Sequence, residues 1–349
     1  MLALTGPAVL GTTDATANRQ CGPLDVLRGC EIVTTHQVTQ RSVDLGGRLL
    51  ELTTGRGSLW ALTCERKCTA QHRPSVGRVV RIDPHSGRVI SAMTLRGAAG
   101  LAVGRPGVFV IDFWRDNVRR LDPATLRVAA KLGLVLPFEL VPGDDEFLPY
   151  DVAVTKKAIW VSTARGVVAR LDPSGSRVVA TVRLPFDAGG EIATDDGALW
   201  IAESLAGVYR VDSEANRVEA GLRIGPPRQR LSINEVLVGG GKVFAVGVRT
   251  RRDVALGENA LARIDPGSNR VEAVTALPAG PLALAYGNGS LWAARFGGTS
   301  VDRIDPSTGK VRDRISARVG TALIVAGGRL WTASRDGTVR QIRTPNGVC

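Results

Sequence analysis

The chain has 349 residues, 44% of them hydrophobic and 22% charged, an ordinary balance for a folded globular protein with a sizeable core. No run of 18 uninterrupted apolar residues occurs, which argues against a transmembrane helix. The formal net charge of +12 invites an anionic partner, so its placement along the chain has to be read before nucleic acid is considered.

The N-terminus offers two readings. Leu2 to Gly11 is mildly apolar and Ala15-Thr16-Ala17 resembles a signal-peptidase site, but a positive n-region is missing and Pro7 interrupts the run. It is either a signal peptide with a misassigned start or a disordered leader. Residues 1–30 are therefore set apart as a leader and cysteine-bearing segment, and residues 31–349 as the folded unit. The five cysteines are Cys21, Cys30, Cys64, Cys68 and Cys349. They avoid the repetitive middle of the chain and fall where staples occur in exported proteins. The odd count leaves one thiol free or intermolecular.

From Val38 onward one pattern recurs: a short apolar strand, a turn, Leu-Trp-x-Ala, a loop, then Arg-Ile-Asp-Pro-x-x-Gly-Arg-Val. An aromatic anchor falls at Trp60, Phe109, Trp160, Trp200, Phe244, Trp292 and Trp331. Turn aspartates at Asp83, Asp122, Asp172, Asp212, Asp265 and Asp305 are separated by 39, 50, 40, 53 and 40 residues. A period near 40 with insertions is the signature of a repeat architecture. Each unit reads as four strands, A to D. In the fourth unit these are Ile192–Thr194, Ala198–Ala202, Gly207–Val211 and Val218–Ile224. Asp-Pro-x-x-Gly joins C to D: the aspartate side chain caps the turn, Pro presets φ, and Gly accepts positive φ. Four-stranded units repeated seven times predict an all-β, seven-bladed β-propeller. The seventh unit lacks strand D, and Val38–Leu45 matches that pattern. The N-terminal segment is expected to complete the last blade and close the ring. Cys349 would then lie near Cys21 or Cys30, and a disulfide closing so long a loop would stabilise by about 4–5 kcal/mol in the chain-entropy model.

Four insertions, Cys64–Gly77, Leu134–Pro149, Pro226–Leu231 and Val248–Asn259, all map to the B–C and D–A side of the ring. Elaboration of one face points to a binding face; drift in unconstrained loops is the plainer alternative. Nine residues before each anchor, where strand A enters the central channel, stand Glu51, Gly100, Asp151, Glu191, Glu235, Ala283 and Ala322. Asn234 precedes Glu235. Four carboxylates at one level suit Ca²⁺, Mg²⁺ or a cationic ligand, and otherwise raise one another's pKa. A wet polar channel without a fixed ligand is the competing reading. Arg115, Arg165, Arg249, Arg295 and Arg335 follow strand B and form a candidate basic rim on the same face.

Much of the positive charge is written into the repeat. Arg81, Arg120, Arg170, Arg210, Arg263 and Arg303 share one strand C position, one per blade. A nucleic-acid track needs contiguous charge and stacking aromatics, so nucleic acid is not expected; attraction to an anionic cell surface is. A monomer is expected. Cys64-x₃-Cys68-x₃-His72 lacks a fourth zinc ligand nearby, and a local or loop-stapling disulfide fits it better. His36, His72 and His85 have no adjacent nucleophile, and no Gly-rich phosphate loop lies between a strand and a helix.

The Leu-Trp-x-Ala … Arg-Ile-Asp-Pro-x-Thr/Ser-Gly-x-Val units resemble YVTN and NHL-type bacterial propeller repeats, similar to the virginiamycin B lyase group, over about residues 38–345. The resemblance implies the propeller fold, and a role as a secreted or periplasmic binding protein, a sensor domain or, less often, an enzyme. The lyase group implies a catalytic His with acidic Mg²⁺ ligands; no His stands in the later blades. Gluconolactonase-like propellers imply a central metal held by Glu, Asn and Asp, for which Glu51, Asp151 and Asn234 are the matching types. The sequence reading is a non-catalytic propeller binding a ligand or protein on its loop-rich face and channel mouth, with a metal-dependent hydrolase, lactonase or lyase at the acidic mouth as the alternative.

Overall fold

The computed structural model describes residues 15–17, 34–38, 40–66, 76–112, 115, 117–134, 149–163, 166–186, 190–195, 197–203, 207–226, 229–251, 254–277, 281–295 and 298–342. Its described elements are all strands. Three precede the first blade: β1 (Ala15–Ala17), β2 (Thr34–Gln37) and β3 (Gln40–Asp44). Blade 1 is β4 (Arg48–Gly55), β5 (Ser58–Arg66), β6 (Val76–Ile82) and β7 (Val89–Arg96). Blade 2 is β8 (Ala98–Gly104), β9 (Gly107–Asp112), β10 (Asn117–Leu121) and β11 (Val128–Gly133). Blade 3 is β12 (Pro149–Val154), β13 (Ile159–Thr163), β14 (Val167–Leu171) and β15 (Val178–Arg183). Blade 4 is β16 (Glu191–Thr194), β17 (Ala198–Glu203), β18 (Gly207–Asp212) and β19 (Arg217–Leu222). Blade 5 is β20 (Gln229–Gly239), β21 (Lys242–Arg251), β22 (Val254–Asp265) and β23 (Arg270–Leu277). Blade 6 is β24 (Pro281–Gly287), β25 (Ser290–Arg295), β26 (Ser300–Ile304) and β27 (Val311–Ser316). Blade 7 has β28 (Ala322–Ala326), β29 (Arg329–Ala333) and β30 (Thr338–Ile342).

Each blade is an antiparallel meander, and each first strand packs against the first strand of the next blade, with β28 returning to β4. The chain is therefore a seven-bladed propeller. The expected closure holds: β3 pairs antiparallel with β30, from Gln40 opposite Ile342 to Asp44 opposite Thr338. Sequence reasoning did not foresee two further strands. β2 lies parallel to the outer strand β27 of blade 6, and β1 pairs antiparallel with β2, so Ala15–Ala17, within the segment set apart as a leader, joins that sheet. An outer edge that would otherwise present unpaired amides is covered in blade 6.

The core lies between blades. One buried cluster joins Leu45, Leu52 and Val80 to Trp331 and Val339, binding blade 1 to blade 7. All seven anchors are at most 1% exposed. Opposite four of the tryptophans the strand C arginine lies over the indole face: Arg81 on Trp60, Arg170 on Trp160, Arg210 on Trp200 and Arg303 on Trp292, at 5.5, 5.5, 5.5 and 5.8 Å. The same guanidinium reaches the next blade. Arg81 Nη1 donates to Pro123 O at 3.2 Å, and Arg210 Nη1 donates to Pro266 O and Asn269 Oδ1 at 2.9 and 2.8 Å. Arg81, Arg170 and Arg210 are thus interblade ties, while Arg263 and Arg303 pair with Glu272 and Asp313 inside their own blades.

The turn chemistry is as read. Asp122 Oδ1 accepts from the amides of Ala124 and Thr125, and Asp305 Oδ1 from those of Ser307 and Thr308. The turns of blades 1 and 3 cover the anchors of blades 7 and 2: Gly87 lies against Trp331 and Gly175 against Phe109. Gly175 in the blade 3 turn has φ +67°, and a Cβ there would come within 2.9 Å of the Phe109 ring. Gly175→Ala is therefore expected to destabilise by about 1–3 kcal/mol, from positive-φ strain and a core clash together; chemical denaturation would read this as a lower midpoint with unchanged slope.

Two insertions read as loops are strand extensions in blade 5. β20 and β21 stay paired to Gln229 opposite Arg251, and β21 and β22 to Arg251 opposite Val254. Blade 5 therefore stands taller than its neighbours on the B–C side. Most of Cys64–Gly77 and Leu134–Pro149 lies outside the described residues.

Candidate functional site

The channel mouth is built by a repeated irregularity. In blades 1, 2, 3, 5 and 6 the first strand slips register once against the second, leaving Leu50, Ala99, Tyr150, Asn234 and Leu282 as the extra residue. A β-bulge re-aims the side chains beside it. The residues that follow are Glu51, Gly100, Asp151, Glu235 and Ala283, so the position nine before the anchor is the bulge exit. Glu191 opens β16 at the corresponding place in blade 4, opposite Ala202.

Two of the four carboxylates bridge blades. Asp151 accepts from Val152 N at 2.7 Å and from Ile192 N of blade 4 at 2.8 Å. Glu235 accepts from Leu284 N of blade 6 with both oxygens, at 3.1 and 3.0 Å. Each thereby satisfies an amide on the inner edge of the next blade, where the meander offers no partner. Glu51 accepts from the Leu52 amide.

Burial pushes all four carboxyls up, and repulsion from neighbouring carboxylates adds to it at Glu51, Glu191 and Glu235. Burial raises Glu51 well above its usual range, and Asp151, Glu191 and Glu235 add to it. Asp151 is raised to about 6 by burial, against the pull of its two amide bonds. Glu191 is raised to about 7 by burial and then by Asp151, and Glu235 to about 8 by burial and then by Glu191. Glu191 is walled by protein yet open to solvent along the channel, which tempers its shift. Near neutral pH the ring therefore carries fewer than four negative charges.

Tyr150 and Asn234, at the bulges just before Asp151 and Glu235, are both exposed. Burial, then Glu191 and Asp151, raise the Tyr150 phenol; Tyr150 is the extra residue of the bulge that Asp151 ends. Sequence reasoning picked out Asn234 but missed Tyr150, although both directly precede an acidic channel residue. Among the described residues no three Asp, Glu, His or Cys side chains are grouped closely enough to hold a metal ion.

The candidate basic rim divides. Arg115 Nη1 lies 3.6 Å from Asp112, Arg249 Nε 3.8 Å from Glu258 and Arg295 Nε 3.6 Å from Asp302. Arg335 is exposed beside blade 1, its carbonyl accepting from Leu49 N at 3.1 Å. Arg165 lies outside the described residues. Most of this charge is thus neutralised locally. His36 lies 3.8 Å from Asp313, and His85 3.7 Å from Asp83 in a C–D turn, away from the carboxylates. Cys64 is buried at 1% exposure, while Cys21, Cys30, Cys68, Cys349 and His72 fall outside the described residues.

No family model matches the sequence, and no curated protein matches it. Among solved structures, the chain is similar to Kuenenia stuttgartiensis hydrazine synthase, with a TM-score of 0.64 and 16% identity, over 87% of this chain and 97% of that one. At that identity the likeness is one of propeller fold alone.

Proposed function

We propose that this propeller is a binding protein that takes a positively charged group at the channel mouth on its loop-rich face. The observation that carries this reading is the convergence of Glu51, Asp151, Glu191 and Glu235 from four different blades. Tyr150 supports an organic cation over a bare metal ion, because an exposed aromatic ring at the bulge directly before Asp151 can offer a π face to an ammonium group. The spacing of the carboxylates favours the same choice, since among the described residues they form no three-ligand metal set. The expected result is saturable binding of a polyamine such as spermidine by calorimetry, at least tenfold weaker in Glu191→Gln/Glu235→Gln. Equal binding by both proteins would overturn the reading. Tight stoichiometric Ca²⁺ or Mg²⁺, lost in the double variant, would replace it with the metal-dependent one.

One observation favours a hydrolytic role instead. A solvent-accessible Glu191 raised to about 7 can hold or release a proton near neutrality, as a general acid or base must. Turnover of lactone or ester substrates that fails in Glu191→Gln would establish it. We further propose an exported location and a place in the YVTN/NHL-type group. The first rests on the placement of the cysteines at the edges of the repeat; the second rests on the repeat residues.

A further inference from the structure

Blades 1 to 6 share a second irregularity, on the outer strand just after the C–D turn. Strand D slips register once against strand C, and the extra residue is Ile90, Ala129, Val179, Glu219, Glu272 and Arg312 in blades 1 to 6 respectively. All six are exposed. A bulge leaves its extra residue out of the ladder, so one surface position can be compared from blade to blade.

That position divides the ring. In blades 4 to 6 it is charged and paired within the blade: Glu219 with Arg210 at 3.2 Å, Glu272 with Arg263 at 2.7 Å and with Lys242 at 2.6 Å, and Arg312 with Asp305. In blades 1 to 3 it is apolar. Ile90 is 51% exposed and Val179 44%, with Val89 beside Ile90 at 43%. The residue closing the C–D turn in these three blades is Arg88, Arg127 and Arg177. Each closes it with its backbone carbonyl, which accepts from Asp83, Asp122 and Asp172 N at 2.9, 2.9 and 3.1 Å. The three side chains are exposed and, among the described residues, have no carboxylate within ion-pairing distance.

The turn aspartates on this side are committed to turn amides. Asp83 Oδ1 accepts from His85 N at 2.8 Å, Asp122 Oδ1 from the Ala124 and Thr125 amides, and Asp172 Oδ1 from Ser176 N and Arg177 N at 2.7 and 3.0 Å. The A–B turns of blades 1 and 2 add Arg56 and Arg105, both exposed and adjacent, with Arg56 Nη1 donating to Arg105 O at 2.9 Å. Blades 1 to 3 thus set Arg56, Arg88, Arg105, Arg127 and Arg177 against Asp83, Asp122 and Asp172 on the side of the ring away from the long loops.

We propose that this half of the A–B and C–D side is a docking surface for an anionic lipid bilayer. The arginines meet the headgroups, and Val89, Ile90 and Val179 enter the layer beneath them. The bulge residues stand one per blade along the rim, each near a turn-closing arginine. A protein partner is held by a central apolar cluster, whereas a plane of headgroups fits this spread. Docking in this way leaves the acidic channel mouth, on the opposite side, facing away from the membrane.

Flotation with phosphatidylcholine vesicles, with and without phosphatidylglycerol, at fixed ionic strength tests this. Binding is expected to the anionic vesicles and not to the neutral ones. Arg88→Gln/Arg177→Gln should weaken it roughly tenfold or more, since each basic group lost from the contact removes attraction to the anionic surface. Arg217→Gln/Arg270→Gln, the same positions in blades 4 and 5, removes equal charge and should leave binding nearly unchanged. Ile90→Gln/Val179→Gln keeps the charge and should weaken binding roughly threefold or more. All these side chains are exposed, so the fold is retained. Equal binding of the wild-type protein to both vesicle types, equal weakening by the two arginine pairs, or undiminished binding by Ile90→Gln/Val179→Gln would overturn the proposal. Binding to poly-glutamate but not to anionic vesicles would also overturn it, in favour of an acidic protein partner.

Discussion

Replacing Glu191 and Glu235 together by glutamine is expected to make the protein more stable at pH 9 and to leave it nearly unchanged at pH 4. The sign follows from proton linkage. Both carboxyls titrate higher in the folded protein, at about 7 and about 8, than in an unfolded chain, at roughly 4.3. The native state therefore binds the extra protons. Their stabilising effect is complete below the unfolded value and is lost as pH rises through the folded ones, leaving a crowded ring of negative charge. Glutamine cannot ionise, and its amide oxygen can still accept from Leu284 N. Solvent in the channel screens the repulsion, so the gain at pH 9 is expected to be about 1–2 kcal/mol. Urea unfolding at the two pH values reads it directly; a double variant that is less stable at pH 9 would show that the carboxylates act chiefly as interblade bridges. A cationic ligand should produce the same relief in the wild-type protein, binding more tightly as pH rises and releasing protons as it does.

The largest single loss is expected from Trp200→Ala, about 3–5 kcal/mol. The indole is fully buried, and its removal also takes away the surface on which Arg210 rests at 5.5 Å. That guanidinium ties blade 4 to the turn of blade 5 through Pro266 and Asn269, so one deletion loosens a core cluster and an interblade tie. Trp200→Phe should cost about 1–2 kcal/mol, because phenylalanine occupies the same position in blades 2 and 5 with a buried ring. Guanidinium denaturation distinguishes the two; a cost below about 1 kcal/mol for the alanine variant would mean that each blade is stabilised independently of its neighbour.

The sequence by itself determined the number of blades, the anchors, the turns and the closing strand. Each depends on local chemistry that repeats: alternating apolar residues make strands, Asp-Pro-x-x-Gly makes the C–D turn, and a missing fourth strand in the last unit demands one from elsewhere. It also placed Glu51, Asp151, Glu191 and Glu235 at one level, because a fixed offset from a buried anchor becomes a fixed height in the ring. Tertiary structure alone decided what those residues do with one another. Asp151 and Glu235 spend part of their hydrogen-bonding capacity on amides 41 and 49 residues away, a distance along the chain that no local pattern encodes. The bulges that bring Tyr150 and Asn234 to the mouth arise from strand pairing. Arg249 and Arg295, read as part of a rim, turned out to pair with Glu258 and Asp302 across a hairpin, because partners brought opposite by strand pairing are not adjacent in the chain.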